Sequence, residues 1–111
     1  MVEIRRGVVV IVTIPGGYGK PRPAVIVQAD RFSDDFESIL VCPVTSNVTP
    51  HSVARIPVAP SPRTGLMFDS NIMVDKLSVI AKTKISRVVG RLDESILKRV
   101  DSSLAEFLGL Q

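Results

Sequence analysis

One arginine held between two prolines is the most chemically specific feature of this sequence. Arg22 stands between Pro21 and Pro23, directly after Lys20, and it opens an apolar run. Proline fixes φ near about −65° and favours extended geometry in the residue before it, so the junction has few accessible conformations. A guanidinium is a planar donor fork that stays charged at any working pH. Arg22 is therefore a candidate for binding a phosphate, and the alternative is a basic residue that merely faces water.

A glycine-rich segment leads into this junction and offers a second kind of anion contact. Residues 16–19 read Gly-Gly-Tyr-Gly. Backbone N–H groups beside glycine can approach a ligand closely because no Cβ stands in the way. Gly17, Tyr18 and Lys20 are the candidate contacts from this segment. Glycine and proline are also ordinary loop residues, so a plain loop-to-strand connection is the alternative.

Hydroxyl and amide side chains follow a second apolar run. Thr45, Ser46 and Asn47 come directly after residues 39–44, which read Ile-Leu-Val-Cys-Pro-Val. A threonine hydroxyl can donate a hydrogen bond to a phosphate oxygen or hold a sugar hydroxyl in position. Polar residues at the end of a strand also form turns, and that structural role is the alternative for all three.

Composition limits the chemistry that the chain can perform. Its 111 residues carry a net charge of +3 and a pI of about 9.4, a mild basic bias compatible with a polyanionic partner. With one cysteine, Cys42, and one histidine, His51, the chain has no set of residues for a disulfide or for a Cys/His zinc site. Cys42 lies in an apolar run and is expected to be a buried thiol, and His51 is expected at the surface. We expect neither a metal nor a cofactor.

The N-terminus, Arg5-Arg6 followed by the apolar residues 8–14, resembles a signal peptide only slightly, and we expect neither export nor membrane insertion. No apolar stretch approaches the roughly 18 residues that cross a bilayer. The apolar run near the N-terminus is followed by Pro-Gly-Gly rather than by a small-residue cleavage motif. The expectation is one cytoplasmic domain spanning residues 1–111 with no membrane partner.

Short β-branched and apolar runs, separated by glycine, proline and polar residues, predict a series of strands. The predicted strands are residues 8–14, 22–28, 38–45, 52–58, 71–74, 77–81 and 88–91. Residues 30–35 are polar and predict one helical turn capped by Asp30. Residues 59–65 contain two prolines and predict a loop.

The last part of the chain changes to helical periodicity. Apolar side chains recur at intervals of four, at Ile96, Val100, Leu104 and Leu108. Asp93 is a suitable N-cap and Gly109 a suitable end, which predicts a helix of about 15 residues. Many short strands and one amphipathic helix predict a mainly β fold, in which a strongly bent antiparallel sheet or partial barrel is closed by the helix.

Taken in order, these motifs resemble those of the MazF/PemK toxin family. Residues 20–28, Lys-Pro-Arg-Pro-Ala-Val-Ile-Val-Gln, resemble the opening of that family, and residues 41–47, Val-Cys-Pro-Val-Thr-Ser-Asn, resemble its strand that ends in Thr-Ser. Shorter matches follow at residues 54–58, 65–66, 69–70, 74–75 and 89–93. Each match is short, but together they keep the family's order over nearly the whole chain.

The resemblance implies an SH3-like barrel that acts as a sequence-selective, metal-independent endoribonuclease on single-stranded RNA. Its products would be a 2′,3′-cyclic phosphate and a free 5′-hydroxyl. It also implies a homodimer that a separately encoded antitoxin silences. By their place in the family motifs, the catalytic candidates are Arg22, Thr45 and Asp75, the last as a base used by some members. The RNA-binding candidates are Gly17, Tyr18, Lys20, Ser46, Asn47 and Lys76.

Departures from the family pattern concern mainly the general base. Val8 stands where many members carry an acid, and Met73 stands where some carry an arginine two residues before the acid. Ser78 lies in a segment where many members read Gln-x-Arg-Thr. A base at Asp75 and a structural acid paired with Lys76 or Arg22 are equally compatible with the sequence.

Two other functions fit a small β barrel. A CcdB-like toxin would poison DNA gyrase by binding it through the C-terminal helix, but such a protein needs neither the Arg-Pro junction nor the Thr-Ser pair. A plain SH3-like module would need an aromatic groove for proline-rich peptides. One tyrosine and four phenylalanines scattered along the chain make that groove a poor expectation.

Overall fold

A computed structural model describes residues 3–13, 19–50 and 52–110 and shows seven strands and one α-helix in that part of the chain. The strands are β1 (Val8–Thr13), β2 (Pro21–Ile26), β3 (Ser38–Thr45), β4 (Arg55–Val58), β5 (Ser70–Met73), β6 (Ser78–Ala81) and β7 (Ile85–Arg91). The helix, α1, is Glu94–Phe107, and single 3-10 turns lie at Asp30–Phe32, Val74–Lys76 and Lys82–Lys84.

The strands form one antiparallel sheet that branches at β3. The order along the sheet is β4-β5-β3-β2-β1-β7, and β6 pairs separately with β3. The first half of β3 pairs with β6, from Ser38 opposite Ala81 to Val41 opposite Ser78. Its end pairs with β5 instead, where Thr45 lies opposite Asn71. Strands β6 and β5 therefore follow one another along the same edge of β3, and the sheet bends where the partner changes. Thr45, at the end of β3, lies on the β5 side of this bend.

Apolar side chains cover both faces of the central strands. Val9, Val25 and Cys42 belong to one buried cluster, together with Val100 of α1. Val10 and Val41 belong to a second cluster on the opposite face. Successive residues of a strand point to opposite faces, so runs without polar alternation are what a strand buried on both sides requires. The strand predicted at residues 8–14 is confirmed for residues 8–13.

Helix α1 closes the first cluster, as its periodicity predicted. Val100 is fully buried, and Ile96, Leu97 and Leu104 pack against the cluster. Asp93 occupies the N-cap but makes no capping hydrogen bond, and its carboxylate pairs with Arg63 at 3.1 Å.

The other end of α1 also follows the prediction. Gly109 adopts a φ of 71°, and the next N–H, that of Leu110, donates to the carbonyl oxygen of Ala105 at 2.7 Å. The predicted fold class, mainly β and closed by a C-terminal helix, is confirmed.

Three predicted details were wrong. Asp30 is not a cap: Ala29 occupies that position, and the Asp30 carboxylate accepts a hydrogen bond from the N–H of Arg6 at 2.6 Å. Strand β4 begins at Arg55 rather than at residue 52, because the Ser52 hydroxyl accepts from the Ala54 N–H and forms a turn there. Strand β7 begins at Ile85 rather than at residue 88, since it pairs with β1 through two irregularities in register that simple alternation does not predict.

The described residues include no helix with both the length and the apolar composition that crossing a bilayer requires.

Candidate functional site

One cleft brings Arg22 and Thr45 together. Both line a cavity of about 240 Å³ at the opening of the bent sheet. Strands β2 and β3 pair as far as Ala24 opposite Pro43, and Arg22 and Thr45 each lie two residues beyond that pair. Two motifs that lie 23 positions apart in sequence are thus side by side because their strands are neighbours.

The end of β3 presents its hydroxyl groups to this cleft. The N–H of Asn47 donates to Thr45 Oγ1 at 3.1 Å, which fixes the turn after the strand. The Thr45 hydroxyl therefore accepts one bond from the backbone and keeps its own proton for another acceptor. Ser46 also lines the cleft, whereas the Asn47 side chain is exposed beside it.

A second arginine in the cleft, Arg87, was missed by the sequence analysis. It lies opposite Ile11 in the pairing of β7 with β1, and both residues line the cleft. Val89, two residues further along β7, also lines the cleft and packs against the buried cluster. The sequence carries no periodic signal for it, because Arg87 stands between Ser86 and Val88, and the predicted last strand begins only at residue 88.

The guanidinium groups of Arg22 and Arg87 are available to an external anion. Neither pairs with a carboxylate among the described residues, whereas Arg6, Arg55 and Arg63 each do. Two cationic forks without a protein counterion, beside a hydroxyl donor, form a site that favours a phosphate or another oxyanion.

Apolar side chains form the other wall of the cleft. Met67 and Phe68 line it and are 81% and 66% exposed, respectively. They lie on the connection between β4 and β5, beyond residues 59–65, the part of it that was predicted to be a loop. The hydroxyl of Ser70 donates to the carbonyl oxygen of Phe68 at 2.9 Å and holds the end of this connection.

Asp75 does not line this cleft. It follows the far end of β5 and accepts a bidentate hydrogen bond from Arg55, with donor–acceptor distances of 2.7 and 2.9 Å. This guanidinium contact lowers the pKa of the Asp75 carboxyl below its usual value. The sequence suggested a pairing of Asp75 with Lys76 or Arg22, whereas its partner in the structure is Arg55. A catalytic role for Asp75 stays a prediction, and its placement does not support it.

The remaining predicted contacts are scattered. Lys20 is exposed at the start of β2, and Lys76 is exposed beside Asp75, outside the cleft lining. Gly17 and Tyr18, like His51, lie outside the described residues. Cys42 is fully buried, as predicted, and burial raises the pKa of its thiol to about 12. The described residues contain no group of three His, Cys, Asp or Glu side chains arranged to hold a metal ion.

Solved structures resemble this fold closely. The Mycobacterium tuberculosis toxin MazF-mt6 superposes with a TM-score of 0.80 at 20% identity, covering 94% of this chain and 98% of its own. An endoribonuclease in complex with its cognate antitoxin, from mycobacterial species, gives a TM-score of 0.80 at 18% identity and covers 96% of both chains. A MazE–MazF crystal structure from Deinococcus radiodurans gives 0.79 at 16% identity and covers 100% of both.

Sequence comparison gives the family. A probable endoribonuclease MazF from Mycolicibacterium smegmatis (strain ATCC 700084 / mc(2)155) is 40% identical over 108 residues, which cover 96% of this chain and 98% of that protein. Residues 5–108 match the family described as PemK-like, MazF-like toxin of type II toxin-antitoxin system. The chain therefore belongs to the PemK-like and MazF-like toxin family.

Proposed function

We propose that this protein is the endoribonuclease toxin of a toxin–antitoxin pair and that it cuts single-stranded RNA selectively and without a metal ion. The observation that carries the proposal is the shared cleft of Arg22, Thr45 and Arg87. The family and the probable endoribonuclease relative support the enzyme class.

In the proposed reaction the 2′-hydroxyl of one nucleotide gives its proton to a base while its oxygen attacks the adjacent phosphorus. The new bond closes a 2′,3′-cyclic phosphate while the bond from phosphorus to the 5′-oxygen breaks, and the leaving oxygen takes up a proton to become a 5′-hydroxyl. Negative charge on the phosphate oxygens grows during this step, so fixed cationic donors stabilise the transition state more than the ground state. Arg22 supplies that stabilisation through its fork, and it cannot act as the base because its guanidinium does not deprotonate.

Thr45 and Arg87 act on the same phosphate. The Thr45 hydroxyl, whose acceptor side is held by the Asn47 N–H, donates to a non-bridging oxygen or orients the 2′-oxygen in line with the leaving group. Arg87 faces the phosphate from β7 and adds a second positive charge. Both groups position reacting atoms, and neither removes the proton of the 2′-hydroxyl.

We assign Asp75 a structural role. A base near the scissile bond must reach the 2′-hydroxyl within hydrogen-bond distance, and Asp75 lies outside the cleft with both oxygens bound to Arg55. Its lowered pKa also makes it a weaker proton acceptor. The base therefore has to be sought among the groups at the cleft itself.

The RNA on either side of the scissile bond runs along the cleft rim. Ser46 and Asn47 are placed to bind sugar or base edges, and exposed Lys20 extends the positive surface from Arg22. Lys76 lies on another part of the surface and would meet only a longer RNA. Contacts from Gly17 and Tyr18 remain predictions from the sequence.

We also propose a homodimer and a cognate antitoxin as protein partners. Solved structures of the same fold include an endoribonuclease with its cognate antitoxin and a MazE–MazF crystal structure. At the end of α1, Phe107, Leu108 and Leu110 are more than half exposed, which offers apolar surface to a partner chain.

The test is incubation of a mixed-sequence single-stranded RNA with the protein in excess EDTA. We expect fragments whose 5′ ends accept phosphate directly from polynucleotide kinase and whose 3′ ends resist phosphatase until acid opens the cyclic phosphate. Sequenced 5′ ends should share a short motif. The all-deoxy strand of the same sequence is the matched control and stays intact because it has no 2′-hydroxyl. Fragments with 5′-phosphates, or cleavage that EDTA abolishes, would contradict the proposal.

A further inference from the structure

The connection between β4 and β5 is locked onto β7 by two glycines. Gly65 adopts a φ of +73°, and a Cβ there would stand 2.2 Å from the carbonyl oxygen of Val89. A Cβ on Gly90 would stand 2.3 Å from the carbonyl oxygen of Arg63. The two backbones therefore approach as closely as glycine alone permits. The N–H of Arg91 also donates to the Arg63 carbonyl at 2.9 Å.

Hydrogen bonds between residues close in sequence stiffen the same connection internally. The hydroxyl of buried Thr64 accepts from the N–H of Leu66 at 3.2 Å, and the Thr64 N–H donates to the Ser61 hydroxyl at 3.1 Å. The Ser70 hydroxyl holds the carbonyl of Phe68 at the other end. Because the connection is fixed at both ends, the large apolar side chains of Met67 and Phe68 stay exposed to solvent and do not fold into the core.

The position of these side chains defines what they can bind. Met67 and Phe68 line the cleft that contains Arg22 and Arg87. An aromatic ring beside a pair of cationic donors matches an unpaired nucleotide, whose phosphate binds the cations while its base stacks on the ring. Because the wall is pre-organised, little ordering cost opposes stacking.

We propose that Phe68, supported by Met67, is the stacking platform for a nucleobase next to the scissile phosphate and a determinant of base preference. This inference rests on the proposed function, because it assumes that the cleft binds RNA. The base lies flat on a side chain that other protein atoms leave open. Stacking on the ring favours bases with a larger π-face, so it contributes a preference by ring size to the cleavage motif.

The test uses a single tryptophan as a reporter. The chain has no tryptophan, so Phe68→Trp introduces the only one. We expect its fluorescence to be quenched on titration with a short mixed-sequence 2′-fluoro RNA, which cannot be cleaved. The matched control is Phe36→Trp: Phe36 is 55% exposed and lines a separate groove with Val79, so its fluorescence should not change.

A second pair of measurements separates this inference from the proposed function. Phe68→Ala should weaken binding about tenfold and change the sequenced cleavage motif at one position, whereas Phe68→Tyr retains both. Dye-labelled RNA binding to the unmodified protein is followed by anisotropy. If RNA binds and is cleaved while the Phe68→Trp variant remains unquenched and Phe68→Ala keeps its motif, the stacking platform alone is overturned. Absence of RNA binding by the unmodified protein would overturn the proposed function as well.

Discussion

At the scale of single residues, the arginines differ in whether a carboxylate of the protein already neutralises their charge. Arg55 has its counterion in Asp75, whereas Arg22 and Arg87 share a cleft without a carboxylate partner among the described residues. An ion pair with side chains that are 19% and 30% exposed is partly screened by water, so it fixes the local structure more than it adds stability. The free arginines are the ones available for a substrate.

Replacing Asp75 with Asn tests its structural assignment. Arg55 holds the pKa of Asp75 below its usual value, so the stabilisation is fully present above about pH 4 and is lost as the pH falls through the lower folded pKa. At pH 7 we expect a loss of up to roughly 1 kcal/mol, seen as a melting temperature a few degrees lower. The difference from the unmodified protein should narrow below about pH 4.

Cleavage by the same variant separates the two roles of Asp75. We expect its rate to stay within about threefold of the unmodified protein, and Asp34→Asn, at an exposed position outside the cleft lining, is the control for loss of one charge. A large fall in cleavage with an unchanged melting temperature would assign Asp75 to catalysis instead.

At the scale of elements, the contact between the β4–β5 connection and β7 sets the shape of the cleft. Gly90→Ala places a methyl group against the backbone of residues 63 and 64, which cannot move away as a flexible side chain would. We expect a loss of roughly 1–3 kcal/mol in urea unfolding and slower RNA cleavage, since the wall shifts with the connection. Val88→Ala on the same strand, at a more exposed position, is the control. A Gly90→Ala protein as stable as the unmodified one would contradict this interlock.

The sequence predicted elements well where one physical rule dominates. Strand β3 and helix α1 follow directly from an apolar run and from four-residue periodicity. The sequence predicted the boundaries of elements less well where contacts with other elements determine them. The start of β7 depends on an irregular register with β1. The start of β4 was missed for a different reason, because the local Ser52 turn interrupts an alternating pattern.

The same limit applies to the site. Arg22 and Thr45 were found from motifs, and the β2–β3 pairing explains why they meet. Three features of the site could not be predicted, because they depend on contacts between segments that are distant in sequence. These features are the positions of Arg87 and Phe68 in the cleft and the pairing of Asp75 with Arg55.

At the scale of the whole molecule, two apolar clusters share the central strands. Val9 and Val10 are adjacent and fully buried, yet they belong to opposite clusters. Val9→Ala and Val10→Ala should each cost roughly 1–3 kcal/mol, since each removes buried methyl groups from a packed face. Fluorescence of an introduced tryptophan and circular dichroism should follow one common transition in urea. Val79→Ala, at an exposed position, is the control. A negligible loss of stability for Val9→Ala or Val10→Ala would show that the corresponding face of β1 is not part of the core.

The most direct test of the central claim is the single-turnover rate of RNA cleavage in excess EDTA for Arg22→Ala and Arg91→Ala. Each variant loses one arginine, but only Arg22 lines the cleft. Loss of a donor that stabilises the transition state should slow Arg22→Ala by roughly 10²-fold or more, while Arg91→Ala stays within about twofold of the unmodified protein. Equal rates for the two variants, with both proteins folded, would contradict the assignment of this cleft as the place where RNA is cut.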